Sequence, residues 1–390
     1  MGEPLLIVGA SARAAAFSAL RGGFAPRTAD LFADLDLAAQ CPAVAVVDYP
    51  KSLLAAAAAG PAIPWLYTGA LENSPDLVDA IAAKQPLLGN AGAVLRQVRD
   101  PVNMARTLLE AGLLACDVAD SHRGLPSDGS WLRKPLRSGG GVRIEPWFGP
   151  STEELAAATQ QREYYFQRRV AGLACSAVFL AAQCQATLLG VTEQLVGTAW
   201  LNAKPFHYAG SLGPLRLAPV VEDRWRAIGR ALAQAFPLVG LFGVDAIQTG
   251  DEIWPVEINP RYTASTEVLE WAGGFSAVAL HVAACRSGEQ NEAWSTPAPR
   301  DCGWYGKAIL FAPHACMVPD AFVEAACAQN SSTLWPRVAD IPHAGTILPA
   351  GSPVLSCLAA GESQSAVFSR LKANIKSLET MLAEVSLPRV

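Results

Sequence analysis

The stretch VDAIQTGDEIWPVEINPRYTAS, residues 244–265, constrains this chain more than any other part of it. Asp245 lies twelve residues before Glu257, and Asn259 and Arg261 follow at steps of two. Side chains alternate faces along a strand, so Glu257, Asn259 and Arg261 are expected on one side. A turn at Gly250-Asp251 would fold the preceding strand alongside and bring Asp245 to that face. Two carboxylates and an amide oxygen form a hard-oxygen site suited to Mg²⁺, which takes few protein ligands and leaves positions for phosphate oxygens. Arg261 would offer a fork of donors to those phosphates or to charge developing during transfer. The same letters also spell an ordinary strand end with a capping Asn and a surface ion pair.

A second segment bears on that choice. Trp131-Leu132-Arg133-Lys134-Pro135 reads as a strand ending in a lysine, followed by Leu136-Arg137-Ser138 and then Gly139, Gly140 and Gly141. Three glycines let backbone N–H groups close around phosphate oxygens and let the loop move as a lid, while Lys134 supplies a point charge. No G-x-x-x-x-G-K-[ST] occurs, so this is no P-loop. A third segment, Tyr164 to Gly172, reads as a strand running into a hinge at Gln167-Arg168-Arg169-Val170. Such a strand can present backbone N–H and C=O groups to a purine edge, or can be a plain buried strand with an exposed Arg pair.

Composition narrows the class. The 390 residues are 51% hydrophobic, 17% charged and carry ten Trp, with a net charge of −5. That is core material, and it excludes a disordered or fibrous chain. The mild acidity argues against nucleic acid as a partner. The most apolar run, Leu53 to Ala59, stops at Gly60 and Pro61, far short of the roughly 20 residues that cross a bilayer. The start, MGEPLLIVGASAR, reads as a first strand rather than a signal peptide, and the nine scattered Cys lack metal spacing. A reduced, cytoplasmic protein with no membrane partner is expected.

The chain divides into an α/β part and an α+β part. Strands are expected at Leu5–Val8, Thr28–Phe32, Val44–Asp48 and Ile63–Tyr67, alternating with helices as in a doubly wound open sheet. The first strand ends at Gly9-Ala10-Ser11-Ala12-Arg13, where Ser11 and Arg13 could bind an anion at a helix N-terminus. From Asp100 a helix (101–111) leads into strands at 131–134, 142–145, 164–170, 176–182, 188–191, 247–249 and 253–258. A linker, residues 291–301, opens a last block with strands near 304–311 and 346–347 and a helix over 363–385. His207 and Tyr208, in a polar aromatic loop, are expected to line an acceptor pocket.

The three segments in this order resemble the ATP-grasp superfamily. Lys134, Gly139–Gly141, the hinge at 167–172, Asp245, Glu257, Asn259 and Arg261 fall on its pattern one by one. The whole chain is similar to predicted ATP-dependent carboligases related to biotin carboxylase. Its ending, from Asp340-Ile341-Pro342 to Gly351-Ser352-Pro353-Val354, resembles that enzyme's C-terminal domain. The resemblance implies an N-terminal open α/β (pre-grasp) domain over 1–98, an ATP-grasp domain over 99–290 and a C-terminal domain over 291–390. It implies ATP held by Lys134, the three glycines, Gln167, Arg168, Arg169 and Val170, with Gln194 adding an adenine contact. Asp245, Glu257 and Asn259 would bind Mg²⁺, with Mn²⁺ able to substitute, and Arg261 and Lys134 would serve catalysis. The implied activity is a carboxylate–amine ligase working through an acyl phosphate in small-molecule or cofactor biosynthesis, a one-carbon cofactor pathway being one such setting. A carboxylase or kinase, or a non-catalytic nucleotide-binding regulator, are the alternatives, and a homo-oligomer is compatible with each. Two departures stand out. Many relatives have a Lys before the central domain where this chain has Arg99-Asp100-Pro101. Biotin carboxylases follow their Arg with Gln-Val-Glu-His, whereas here Tyr262 to Thr266 precede Glu267.

Overall fold

The protein is described by a computed structural model covering residues 2–150, 163–287, 303–330 and 334–383. Its N-terminal part is a parallel sheet in the order Ala43–Ala45, Phe24–Asp30, Glu3–Val8, Trp65–Tyr67. The first strand is apolar on both faces, as a strand covered on both sides must be. Leu5 and Ile7 enter one core with Ala15, Ala19 and Val282, and Leu6 and Val8 enter another with Val78, Ile81 and Leu95.

Two strands differ from expectation. The second runs over Phe24–Asp30 and stops there. The Asp30 carboxylate accepts the amides of Ala12, Phe32 and Ala33 at 2.8, 3.1 and 2.7 Å, which turns the chain out of the sheet and fixes the start of the helix Arg13–Arg21. The third pairs only over Ala43–Ala45, and Val47 is fully exposed.

The remainder is built on one antiparallel sheet of eight strands. Their order is Glu252–Asn259, Gly240–Thr249, Leu173–Ala182, Gln185–Val196, Tyr208–Gly213, Trp304–Phe311, Pro353–Gly361 and Val338–Ala339. Three C-terminal strands thus extend the central sheet, while Cys316–Met317 and Ile347–Leu348 pair as a small antiparallel sheet of their own. The helix Pro219–Ala235 covers one face through Val221, Trp225, Ile228 and Leu232, whose spacings of three and four give a single stripe. That stripe meets Phe179 and Phe242, stacked at 5.0 Å. The helix Gln364–Ala383 does the same for the C-terminal strands with Val367, Leu371, Ile375 and Leu378. A smaller sheet, Val118–Ala119, Tyr164–Arg168, Trp131–Pro135 and Glu145–Pro146, faces the large one. The strand expected over 142–145 is mostly a turn, with Arg143 at φ +60°. The linker 291–301 lies outside the described residues.

Arg13 lies where the three parts of the chain meet, and it is fully buried. Its guanidinium pairs with Glu267 and with Asp340, the Asp340 Oδ1 lying 2.9 Å from Nε. Lys307 Nζ is 2.8 Å from Glu267 Oε2. Asp34, beside this knot, is pushed up to about 9 by burial and by the nearby Asp340, Asp36 and Asp30. Because the folded value exceeds the unfolded one, folding must retain a proton, and stability falls as pH rises from about 4 toward 9. Asp34→Asn, which imitates the protonated acid, is expected to raise stability by about 1–3 kcal/mol at pH 8 and by little at pH 4. Denaturant melts at the two pH values check this; an equal gain at both would contradict it.

Among the described residues no single helix is long and apolar enough to cross a membrane, and the eight of the nine cysteines that are described are unpaired.

Candidate functional site

The strands Gly240–Thr249 and Glu252–Asn259 pair so that Asp245 faces Glu257 and Gly243 faces Asn259. A bulge after Asp245 shifts the register and aims that carboxylate into the cleft. Asp245 accepts from Gln194 Nε2 and from Asn259 Nδ2, both at 2.9 Å. Asn259 Oδ1 accepts from Arg261 Nη2 at 3.1 Å, and that nitrogen also donates to Glu72 Oε1 at 2.7 Å. Arg99 Nη1 lies 2.5 Å from Glu257 Oε1. Lys134 Nζ, on the facing sheet, donates to Gln167 Oε1 at 2.9 Å and to the Val256 carbonyl at 3.4 Å. Carboxylates, amides and cations alternate across this wall.

The electrostatics follow from that alternation. Burial raises both acids, but Arg99 and Lys134 hold Glu257 below the usual carboxylate range. Asp245 has no such neighbour within bonding distance and is pushed up to about 6 by burial and by Glu257. Burial would lower Lys134, yet Tyr165 and Glu257 keep it above the ordinary lysine value. Two half-buried carboxylates and an amide oxygen, one acid still short of positive charge, fit a divalent cation. Among the described residues no three His, Cys, Asp or Glu cluster for a metal. Oxygens of a bound phosphate would therefore have to complete the coordination.

The glycine loop is latched. The Ser138 carbonyl accepts from Asn73 Nδ2 at 3.0 Å and Arg99 Nη2 at 3.2 Å, and the Gly140 carbonyl accepts from the Tyr208 amide at 3.0 Å. Gly141 sits at φ +78°, and a Cβ there would lie 1.9 Å from the Phe206 carbonyl oxygen. Gly141→Ala therefore unseats the lid: the KM for ATP is expected to rise about tenfold, equivalent to about 1.4 kcal/mol. An unchanged KM in steady-state assays would contradict the latch.

These groups line a cleft of about 630 Å³. Lys134, Gly140, Gly141, Glu257 and Arg261 line it, and the hinge Gln167 to Val170, Gln194, Asp245 and Asn259 also face it. Ser11 and Tyr208 line it too. Gly139 faces a small void behind the lid, shared with Arg99.

Four expectations change. Arg13 is no anion site, because Glu267 and Asp340 already neutralise it. His207 does not line the cleft: its ring packs edge-on to Phe311 at 6.3 Å, and burial and Lys204 lower its pKa. Gln194 bonds the acid Asp245. In the hinge, the amides of Arg168 and Arg169 donate to the Asp117 and Ser130 carbonyls, both at 2.9 Å, so those two N–H groups are unavailable to a purine.

Four residues escaped the sequence reading: Glu72, Asn73, Lys307 and the role of Arg99. Arg99 stands where many relatives carry a Lys, and its guanidinium bonds Glu257 and Asn73. The signal was present in Arg99-Asp100-Pro101. The Asp100 side chain caps the helix Pro101–Glu110 by accepting the amides of Val102 and Asn103, which leaves the preceding side chain outside the helix.

Residues 99–265 match the family model for the ATP-grasp domain. The chain carries an ATP-grasp domain. A sequence comparison with characterised proteins returns no match, whereas solved structures share the ATP-grasp architecture over nearly the whole chain. Pyruvate carboxylase of Rhizobium etli, crystallised with the activator acetyl coenzyme A, is 15% identical with a TM-score of 0.69; it covers 98% of this chain, which spans 39% of its length. Carboxyaminoimidazole ribonucleotide synthase of Aspergillus clavatus, complexed with ATP, is 12% identical with a TM-score of 0.70, covering 97% and 99%. Biotin carboxylase of Campylobacter jejuni, in a β-γ-ATP complex, is 13% identical with a TM-score of 0.68, covering 94% and 89%. At these identities the likeness establishes the ATP-grasp fold alone.

Proposed function

We propose that this protein is an ATP-dependent ligase joining a small-molecule carboxylate to an amine through an acyl phosphate. The observation that carries the reading is a single cleft that places Lys134, Asp245, Glu257, Asn259 and Arg261 together and extends to Ser11 and Lys307. The three solved relatives supply context: each is named for ATP-binding or carboxylation chemistry.

In this reading, Lys134 and Arg261 bind the phosphate chain, Arg99 holds Glu257 and the glycine loop from behind, and the end of the hinge at Val170 borders the purine. Asp245, Glu257 and Asn259 would hold Mg²⁺, which when bound neutralises phosphate oxygens; Mn²⁺ would fit the same donors. An acceptor carboxylate attacks the terminal phosphorus, ADP leaves, and the amine then displaces orthophosphate from the acyl carbon, losing one proton. Arg261 is poised by three acceptor oxygens, of Glu72, Asn259 and the Tyr262 carbonyl, before any charge develops, so it needs no reorganisation at the moment of transfer. The latched lid keeps water from the acyl phosphate.

Carboxylation through bicarbonate would call for a free acid near Arg261. Glu267 is the acid that follows Arg261 in sequence, and Arg13 and Lys307 already engage it and hold it down to about 2. That favours an acceptor bringing its own carboxylate. The test is ADP release by purified protein against pools of carboxylates and amines, with release depending on both expected. Glu257→Gln should reduce that turnover at least a hundredfold while the chain stays folded, with a thermal midpoint lowered only by the loss of the Arg99 ion pair. Release that needs neither pool, or full activity in the variant, would overturn the reading.

A further inference from the structure

One turn of the N-terminal domain, residues 69–73, touches three parts of the phosphate end at once. Glu72 is 1% exposed, and its Oε1 accepts from Arg261 Nη2 at 2.7 Å. Asn73 Oδ1 accepts from Arg99 Nη2 at 3.1 Å, and its Nδ2 donates to the Ser138 carbonyl of the lid. Arg99 in turn holds Glu257. The backbone forces this presentation: Ala70, not a glycine, takes a left-handed φ of +72°, a strained state that persists only where surrounding contacts demand it. Thr68 and Gly69, immediately before, line the cleft beside Ser11, and Thr68 Oγ1 donates to the Ser11 carbonyl.

Charge explains why an acid stands there. Arg261 and Arg99 are close enough to repel each other, and Glu72 stabilises the charged form of both. Without it the two guanidiniums would move apart, and Arg261 would lose the fixed plane in which its fork can meet a terminal phosphate.

We infer that Glu72 is a positioning residue for the terminal phosphate of the nucleotide, acting through Arg261, and that the turn bearing it links the N-terminal end of the cleft to the phosphate end. This rests on the ATP-binding reading above, and two nucleotides separate the two claims. A non-hydrolysable ATP analogue carries the terminal phosphoryl group that Arg261 would touch, and ADP lacks it. Their dissociation constants are measured by calorimetry with Mg²⁺ on the full chain, for wild type, Glu72→Gln, Arg261→Ala and the double variant.

Glu72→Gln is expected to weaken the ATP analogue about tenfold more than ADP, a change in preference that general loosening of the fold would not produce. In the Arg261→Ala background the same substitution should change the preference no further, since contact partners couple and independent sites add. If Glu72→Gln fails to fold, Glu72→Asp keeps the charge one methylene short and should show the same preferential loss. Equal weakening of both nucleotides, or additive losses in the double variant, would overturn the assignment alone. A wild-type chain that binds neither nucleotide would overturn the assignment together with the ligase reading.

Discussion

Arg261→Ala is expected to lower acceptor-dependent ATP turnover by about a thousandfold or more, the scale at which an arginine stabilises a transferring phosphoryl group. Its charge matters most when negative charge spreads over the transferring oxygens, so the loss should fall on kcat and leave ADP affinity nearly unchanged. Removing the side chain also strands Glu72, whose carboxylate is buried against it. Breaking a buried pair costs about 3–5 kcal/mol, so an alanine variant alone confuses catalysis with stability. Arg261→Lys resolves the two. It keeps a cation for Glu72 but cannot also reach Asn259 and a phosphate as a planar fork, so it should fold like wild type yet remain at least a hundredfold slow. Steady-state kinetics beside thermal melts check this; a lysine variant with full kcat would remove Arg261 from the transfer step.

Arg13→Met is expected to destabilise the chain by about 3–5 kcal/mol with no direct effect on the chemistry. The methionine fills similar space but leaves Glu267 and Asp340 with Lys307 as their remaining cation in the knot. Both acids are held well below their ordinary values, Glu267 to about 2, against burial that alone would raise them. A depressed folded value means that their stabilisation is complete above about pH 4.5 and is lost as pH falls toward 2. The gap between wild type and variant in urea melts should therefore be wide at pH 7 and narrow at pH 3. A gap independent of pH would mean that packing, not charge, is what Arg13 provides.

The parts of the site legible in the sequence are those set by short-range geometry. Asp245, Glu257 and Asn259 were readable because a two-residue strand period and one tight turn decide their facing. Lys134 and the three glycines were readable because a strand end and a loop adjoin. What escaped depends on partners far away in the chain. Glu72 and Arg261 are 189 residues apart, Arg13 and Asp340 are 327 apart, and Arg99 and Glu257 are 158 apart. No local pattern distinguishes an arginine awaiting a ligand from one already neutralised by two carboxylates, which is why the sequence alone makes Arg13 a candidate anion site. His207 was misjudged for a related reason: a polar, aromatic loop announces a surface, not which way the ring turns. The same limit hid the path of the last strands. Trp304–Phe311 was expected as a strand, but only its pairing with Tyr208–Gly213 shows that it continues the sheet bearing the acids.

That continuity has a consequence for how the chain tolerates being cut. Tyr208–Gly213 is bonded on one side by Gln185–Val196 and on the other by Trp304–Phe311. Removing everything after residue 290 would leave its outer row of N–H and C=O groups bare, next to apolar side chains such as Ala209 and Leu212 that are now covered. A long uncovered strand of that kind is a template on which other chains add. The last quarter of the sequence is therefore a built-in guard against self-association besides contributing Lys307 to the cleft, and a fragment ending at the linker would be a poor stand-in for the whole.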